Sequence, residues 1–282
     1  MSDATGGAGS IARAGATLAY QRTGAGIPLV LLHGFPLDRA MWQPQAEALC
    51  ATCDVLVPDL RGFGASTLQT GDVDRGIAME TYADDVVAVL DAIGMHQPVV
   101  LAGFSMGGYV AWQFALRYAD RLRALVLCDT RAVADDDNAR AGRLAMAEET
   151  LAVGDASVAL GMLPKLLAPA TIESSADLVD QVRTMISRQS AAAIAAAQRG
   201  MAARPDVRAQ LDQIDRPGLA IAGAEGGTAL PAVSPERQCR MAQLSGQRQG
   251  MMALAVLGQS WFDGAAAATG ADLTQLTSIA FS

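Results

Sequence analysis

Residues 99–112, "VVLAGFSMGGYVAW", constrain the fold of this chain more than any other segment. An apolar run ends at Gly103, a serine stands between glycines, and an apolar segment with helical periodicity follows. The pattern G-x-S-x-G directly after a strand and directly before a helix is typical of a sharp turn. Such a turn needs small residues at its crowded positions and holds its middle residue in a strained, exposed conformation.

The first half of the chain alternates apolar runs with segments of helical periodicity. Strands are predicted at residues 17–24, 28–34, 53–60, 97–103 and 122–129, and helices at residues 38–50, 79–94 and 106–118. The strands are apolar throughout rather than alternating, which indicates that both faces of the sheet are covered. The sequence therefore predicts an α/β fold with a mostly parallel, doubly wound sheet.

The pattern changes after residue 130. Helical periodicity recurs at residues 138–154, 157–167 and 175–200 with no strand between them, which predicts an inserted helical cap, 131–204, over the sheet edge where ligands bind. One more strand is predicted at 215–223, then a helix near 234–244 and a last strand at 251–258. The expected organisation is a flexible tail, 1–9, a core formed by 10–130 and 205–282, and the cap; within the core, 223–282 are atypical.

Charge and hydropathy narrow the classes of partner. The net charge is −8 with a pI near 4.7 and no basic cluster, which argues against a nucleic-acid or anionic-membrane partner. No apolar run approaches the ~20 residues of a membrane-spanning helix. The first ten residues have neither a basic nor an apolar stretch, so we expect a cytoplasmic protein rather than a secreted one.

The sequence predicts no metal and no cofactor. Cys50 and Cys53 have the spacing of a redox or metal pair, but without a second pair or a nearby histidine we interpret them as small, partly buried hydrophobes. Residues 61–66, "RGFGAS", lack the third glycine of a dinucleotide site. The acidic run 135–137 is interpreted as a solvated helix start, because three consecutive side chains do not converge on one cation.

Ser105 lies where an alcohol can react with an acyl group. Its oxygen would stand at a helix N-terminus, where the Met106 amide and the helix dipole favour developing negative charge. The sequence "HGF" at 33–35 follows another strand, and this loop could bring the Phe35 amide to the same oxyanion.

At these motifs the chain resembles the α/β-hydrolase superfamily, in particular its small bacterial carboxylesterases, enol-lactonases and cofactor-free haloperoxidase-like members. The matching segments are HGFP at 33–36, VPDLRGFGAS at 57–66, GFSMGG at 103–108 and LVLCDTRA at 125–132, within a resemblance that covers about residues 10–220. The resemblance implies a nucleophile at Ser105, oxyanion donors at Phe35 and Met106, and a helical cap that governs substrate choice.

A serine nucleophile needs a base, normally histidine, because a free alcohol is hardly ionised at neutral pH. The resembled family places its acid after a late strand and its histidine after the last strand. At the first place this chain reads "AEGGTALP", 224–231, with Glu225 as the carboxylate. At the second it reads "LGQSWFDG", 257–264, with Trp261 near the position of the histidine.

The chain has two histidines. His96 precedes the strand that leads to Ser105, which puts it about 20 Å away at the opposite end of the sheet and excludes it as the base. His33 ends a neighbouring strand; the resemblance implies a structural role for it, and it is kept as a candidate substitute base. Asp129 is the candidate acid, with a structural cap for the next segment as the alternative.

Two hypotheses follow. The first is a serine hydrolase that acts on a small, largely apolar ester or lactone through an acyl-Ser105 intermediate, impaired because no triad histidine is evident. The second is a catalytically inactive hydrolase-fold binding protein, or the product of a frameshifted or diverged C-terminus, because the family pattern is lost after about residue 223. The sequence leaves the substrate and the oligomeric state open.

Overall fold

The computed structural model of the chain describes residues 7–154, 156–223 and 239–244. Its strands are β1 (Ala8–Arg13), β2 (Ala16–Thr23), β3 (Ile27–Leu32), β4 (Cys53–Pro58), β5 (Val99–Phe104), β6 (Leu122–Cys128), β7 (Gly218–Gly223) and β8 (Cys239–Leu244). They form one sheet in the order β1-β2-β4-β3-β5-β6-β7-β8. All neighbours from β4 to β8 pair in parallel, whereas β2 pairs antiparallel with both β1 and β4. The predicted, mostly parallel α/β sheet is confirmed.

Helices cover both sides of this sheet. The first four are α1 (Gln43–Leu49), α2 (Asp72–Arg75), α3 (Met79–Ala92) and α4 (Met106–Arg117). Between β6 and β7 follow α5 (Asp137–Val153), α6 (Ala156–Leu166), α7 (Pro169–Ser174), α8 (Ala176–Ser187) and α9 (Ala191–Ala202), and we call residues 137–202 the helical insertion. Short 3₁₀ helices occupy Arg39–Trp42, Ala119–Arg121 and Arg208–Gln213. Among the helices that the structure describes, none has both the length and the apolar character of a membrane span.

The centre of the core lies around β3, β5 and α4. Every residue of β5 is buried, as are all but the first of β3, which is why both strands read as continuous apolar runs. Helix α4 is buried from Met106 to Ala115 and packs against β3, β5 and β6. The turn that carries Ser105 is therefore embedded in this buried centre.

The sheet begins earlier than the sequence indicates. Residues 1–6 of the predicted tail lie outside the described residues, but β1 starts at Ala8 and pairs antiparallel with β2. Ala8 and Gly9 thus belong to the sheet rather than to a tail. The strand "AGSIAR" has a single large apolar residue, Ile11, because it lies at the edge of the sheet, and it therefore lacks an apolar run in the sequence.

The predicted helix at 175–200 is two helices. Helix α8 ends at Ser187 and α9 begins at Ala191, where the Ser190 hydroxyl accepts a hydrogen bond from the Ala193 amide as an N-cap. Helix α7 was not predicted. The interruption leaves Arg188 and Gln189 between two helices, where they contact other parts of the chain.

The helix predicted near 234–244 is wrong for residues 239–244, which form β8. This strand pairs in parallel with β7 along its whole length. The open edge of β7 offers a row of backbone donors and acceptors, and pairing with it outweighs local helix preference. The strand predicted at 251–258 lies outside the described residues, as does most of the atypical region 223–282.

Asp135 contradicts its interpretation as part of a solvated helix start. Its carboxylate is completely buried and forms ion pairs with Arg143 and Arg204, at 2.5 and 2.7 Å. Burial alone would raise the pKa of Asp135, but the hydrogen bonds and charges of the two guanidinium groups lower it to about 2. Asp136 does cap α5, as a helix start should. Asp135 therefore joins the beginning of the helical insertion to the residues that follow its end.

Candidate active site

Ser105 forms the sharp turn that the sequence predicts between β5 and α4. Its backbone has φ 50° and ψ −109°, a conformation that residues other than glycine seldom adopt. A Cβ atom at Gly103 would lie 2.3 Å from the Gly107 carbonyl oxygen, and one at Gly107 would lie 2.4 Å from that of Leu32. Glycine is therefore required on both sides of the serine, because the helix starts in contact with the neighbouring strand.

Hydrogen bonds on both sides of Ser105 maintain this strained conformation. The Ser105 amide donates to the Cys128 carbonyl at 2.8 Å, and the Ser105 carbonyl accepts from the Gly108 amide at 3.0 Å. The same carbonyl accepts a hydrogen bond from the Thr130 hydroxyl at 2.9 Å. Sequence reasoning missed Thr130, since nothing local distinguishes it. These hydrogen bonds hold the turn in place. Ser105 itself is only partly buried, so the residue stays accessible.

The two predicted oxyanion donors lie on elements that adjoin the serine. Met106 is the first residue of α4, so its amide has no acceptor within the helix. Phe35 belongs to the loop after β3, and a Cβ atom at Gly34 in that loop would lie 2.5 Å from the Phe104 ring. The loop therefore packs directly against the residue before Ser105. Such an arrangement can direct amides from two elements at one oxygen atom.

Asp38 anchors the loop that carries Phe35. Its side chain is 2% exposed and accepts hydrogen bonds from Nε and Nη2 of Arg188, both at 2.5 Å, and from Nε2 of Gln189 at 2.9 Å. Burial alone would raise the pKa of Asp38, but the hydrogen bonds from Arg188 and from the Ala40 amide keep it below its ordinary value. Sequence reasoning missed this residue, although an aspartate directly before a helical turn is a recognisable cap.

The geometry of His33 contradicts its candidacy as a substitute base. The ring is fully buried, its Nε2 accepts a hydrogen bond from the Leu60 amide at 2.9 Å, and its Nδ1 therefore carries the proton and donates to the Gly34 carbonyl at 3.0 Å. Burial lowers the pKa of His33, which keeps the ring neutral. Both nitrogens are engaged by the main chain, so neither is free to take a proton from Ser105. The ring fixes the loops after β3 and β4 instead.

His96 lies just before β5, at the end of the strand opposite Ser105, with its side chain 72% exposed. Its Nδ1 is 3.9 Å from the Asp91 carboxylate. The prediction that His96 lies far from the serine is confirmed. Both histidines of the chain thus have positions that do not serve the Ser105 hydroxyl.

Asp129 lies at the same sheet edge as Ser105. The register of β5 and β6 pairs Phe104 with Cys128, so the next residue in each strand continues to the same edge. Asp129 has φ 43°, and its amide donates to the Ile221 carbonyl at 2.9 Å. Its role as the acid stays a prediction. Glu225 and Trp261 lie outside the described residues.

Burial makes the thiols of the core hard to ionise. Cys53 and Cys128 are buried, and burial raises the pKa of both, that of Cys128 to about 12. In the described ranges no group of three or more histidine, cysteine or acidic side chains is arranged to hold a metal ion. The "RGFGAS" loop is held by a buried ion pair between Arg61 and Asp85 at 2.7 Å, in agreement with its structural interpretation.

Comparisons with known proteins agree with this architecture. The sequence profile of the alpha/beta hydrolase fold matches residues 27–227. The chain is 27% identical over 197 residues to 3-oxoadipate enol-lactonase 2 of Acinetobacter baylyi, across 70% of each protein. A thermophilic esterase from Thermogutta terrifontis superposes with a TM-score of 0.75 at 38% identity, over 81% of this chain and 85% of that one. The enol-lactonase from Burkholderia xenovorans LB400 superposes with a TM-score of 0.75 at 26% identity, over 84% of this chain and 91% of that one.

The matched region extends from β3 through the turn at Ser105 and the helical insertion to β7. It includes the loop of Phe35 and the segment around Asp129. The chain therefore belongs to the α/β hydrolase fold family.

Proposed function

We propose that this protein hydrolyses small esters or lactones with the Ser105 hydroxyl as the nucleophile. The observation that carries the proposal is the strained backbone of Ser105. Hydrogen bonds from the end of β6 and from α4 maintain this strain, while the residue itself stays accessible. Strain of this kind persists only where the surrounding structure maintains it, and it is typical of reactive positions. The esterase and the enol-lactonases among the similar proteins support a hydrolase of small esters.

In this mechanism the Ser105 oxygen attacks the carbonyl carbon of the substrate, and the carbonyl oxygen becomes an oxyanion. The amides of Phe35 and Met106 donate to that oxyanion, and the N-terminus of α4 adds a favourable potential. The carbon–oxygen bond of the leaving group breaks, and the alkoxide takes a proton from solvent in place of the one that Ser105 lost to solvent. An ester releases this alcohol, whereas the alcohol of a lactone stays joined to the acyl group. A water molecule then attacks the acyl-serine, which releases the acid and restores the hydroxyl.

Removal of the proton from the Ser105 hydroxyl is the difficult step. His33 is engaged by the main chain and His96 is distant, so we propose that solvent accepts this proton and that turnover is slow. In a complete triad, loss of the histidine costs up to about 10⁶ in turnover, while the oxyanion donors retain about 10³ to 10⁴ over water. The expected activity is the slow hydrolysis that the oxyanion donors sustain without a histidine base.

A second function is favoured by the positions of the two histidines. A hydrolase fold whose nucleophile has no histidine base is suited to bind an ester or a carboxylic acid beside Ser105 without turning it over. In that case the helical insertion would govern which ligand is retained.

A fluorophosphonate probe tests the proposal. We expect the wild-type protein to be labelled at Ser105, and both labelling and hydrolysis of a p-nitrophenyl ester to disappear in Ser105→Ala. The exposed Ser187→Ala is the matched control and should behave as wild type. Absence of labelling, together with ester hydrolysis equal in wild type and Ser105→Ala, would refute the hydrolase. Saturable ester binding without turnover would support the binding protein.

A further inference from the structure

The loop after β3 is attached to the helical insertion by side chains 150 residues away in the chain. The attachment is the buried carboxylate of Asp38, which receives two guanidinium nitrogens of Arg188 in a bidentate ion pair. Bidentate pairs of this kind fix orientation as well as distance. Asp38 is three residues after Phe35, whose amide is the proposed oxyanion donor.

Gln189 extends the attachment to a second loop. Its Nε2 donates to Asp38 and to the Met185 carbonyl, at 2.9 and 2.7 Å, and its Oε1 accepts from the Gly64 amide at 2.9 Å. The amide group is buried, and both of its ends are used. The loops after β3 and β4 therefore meet at one junction with the helical insertion.

The break between α8 and α9 produces this junction. Helix α8 ends at Ser187 and Ser190 starts a new helix. The side chains of Arg188 and Gln189, which lie between the two helices, contact the loops. A half-exposed arginine paired with an almost fully buried aspartate is an anchor that rearrangement of the helical insertion can release.

We infer that Asp38 and Arg188 are positioning residues for the oxyanion donor: their ion pair holds the peptide of Phe35, so that the helical insertion controls where this amide points. The catalytic consequence rests on the proposed function. An oxyanion donor is effective only within about 2.7–3.1 Å of the charge, and displacement by about 1 Å costs on the order of a hundredfold in rate. A movement of α8 would thus alter catalysis without touching the substrate.

Hydrogen exchange tests the attachment without requiring turnover. In Arg188→Ala, exchange of the amides in residues 33–42, followed by mass spectrometry, should accelerate by about tenfold. The matched control is Arg183→Ala, which removes an arginine of α8 whose partner is the exposed Asp180. Equal exchange of residues 33–42 in both folded variants and wild type would overturn the inference.

Kinetics test the consequence. In Asp38→Asn and Arg188→Ala, kcat for ester hydrolysis should fall by about ten- to a hundredfold with KM changed by less than about threefold, since the donor acts on the transition state. The double variant should be no slower than either single variant. A rise of KM alone, or losses that multiply in the double variant, would contradict the inference.

If wild type is neither labelled nor active, the proposed function fails, and the exchange measurement still decides the attachment. Should Asp38→Asn not fold, Arg188→Ala decides alone.

Discussion

The Thr130 hydroxyl donates a hydrogen bond to the Ser105 carbonyl at 2.9 Å. This bond joins the segment after β6 to the strained residue between β5 and α4. The threonine also packs against α4, where a Cβ atom at Gly108 would lie 2.4 Å from its side chain. The position of Ser105 is thus determined by the neighbouring strand as well as by its own turn.

Thr130→Val removes this hydrogen bond while it keeps the shape of the side chain. The free energy of unfolding should fall by about 1–2 kcal/mol, because a partly buried hydrogen bond is lost and an apolar methyl group faces the carbonyl. Urea unfolding measures the change. Thr130→Ser keeps the hydroxyl and should recover part of the loss. Equal urea midpoints for Thr130→Val and wild type would show that the bond does not stabilise the turn.

Gly107→Ala tests the contact between α4 and β3. Its new methyl group would lie 2.4 Å from the Leu32 carbonyl oxygen and 2.7 Å from that of His33, so we expect a loss of stability of about 1–3 kcal/mol. Gly142→Ala is the control, because a Cβ atom added to that exposed glycine of α5 would meet nothing within 4 Å, and it should gain about 0.5–1 kcal/mol. Thermal unfolding of both variants makes the comparison. A stabilised Gly107→Ala would refute the close approach.

His33 should make stability depend on pH. Burial lowers its pKa in the folded protein below the ordinary 6.5, so the unfolded chain binds the proton first. The stability contribution is complete above pH 6.5 and declines by up to about 1.4 kcal/mol per pH unit below it, until the folded pKa is reached. Urea unfolding between pH 7 and 5 should show this slope in wild type.

The slope should be reduced in His33→Gln, whatever the overall stability of that variant. His96→Gln removes the exposed histidine and serves as the control, with the wild-type slope retained. A His33→Gln variant with an unchanged slope would show that folding does not lower the pKa of this ring.

Asp135→Asn should destabilise the protein by about 3 kcal/mol at pH 7, because it leaves the guanidinium groups of Arg143 and Arg204 without their counter-charge. The folded pKa of Asp135, about 2, lies below its ordinary 3.8. The carboxylate therefore stabilises the fold above about pH 4, and this contribution is lost as the pH falls from there towards 2.

The difference between wild type and Asp135→Asn should accordingly narrow over that pH range, as chemical unfolding can measure. Asp136→Asn is the neighbouring control, since asparagine caps a helix as well as aspartate does. An equal loss of stability in Asp135→Asn and Asp136→Asn would contradict the buried ion pairs of Asp135.

The pH profile of Ser105 labelling reveals what takes its proton. With solvent as the acceptor, the rate of fluorophosphonate labelling should rise continuously from pH 6 to 9, by about tenfold per pH unit, without the plateau that a histidine base produces near neutrality. The profile is measured on wild type with Ser105→Ala as the blank. A plateau with a midpoint near 6–7, lost in His33→Gln, would restore His33 as the base.

Much of the fold could be predicted because its signals are local. Parallel strands buried on both faces are apolar throughout. Helix α3 buries one face and α4 buries nearly all of its surface, so their sequences carry apolar residues at helical spacing. The edge strand β1 was missed because its outward residues are exposed. Strand β8 was predicted as a helix, since only pairing with β7 makes it a strand.

The candidate site divides in the same way. The sequence by itself determined the turn at Ser105, because the glycines and the strand–helix order that produce it are adjacent in the chain. Only the tertiary structure decided what His33, Asp38 and Asp135 do, since each has its function through partners distant in the sequence. Burial together with hydrogen bonds and neighbouring charges then fixes their protonation, because these influences exist only once the chain is folded.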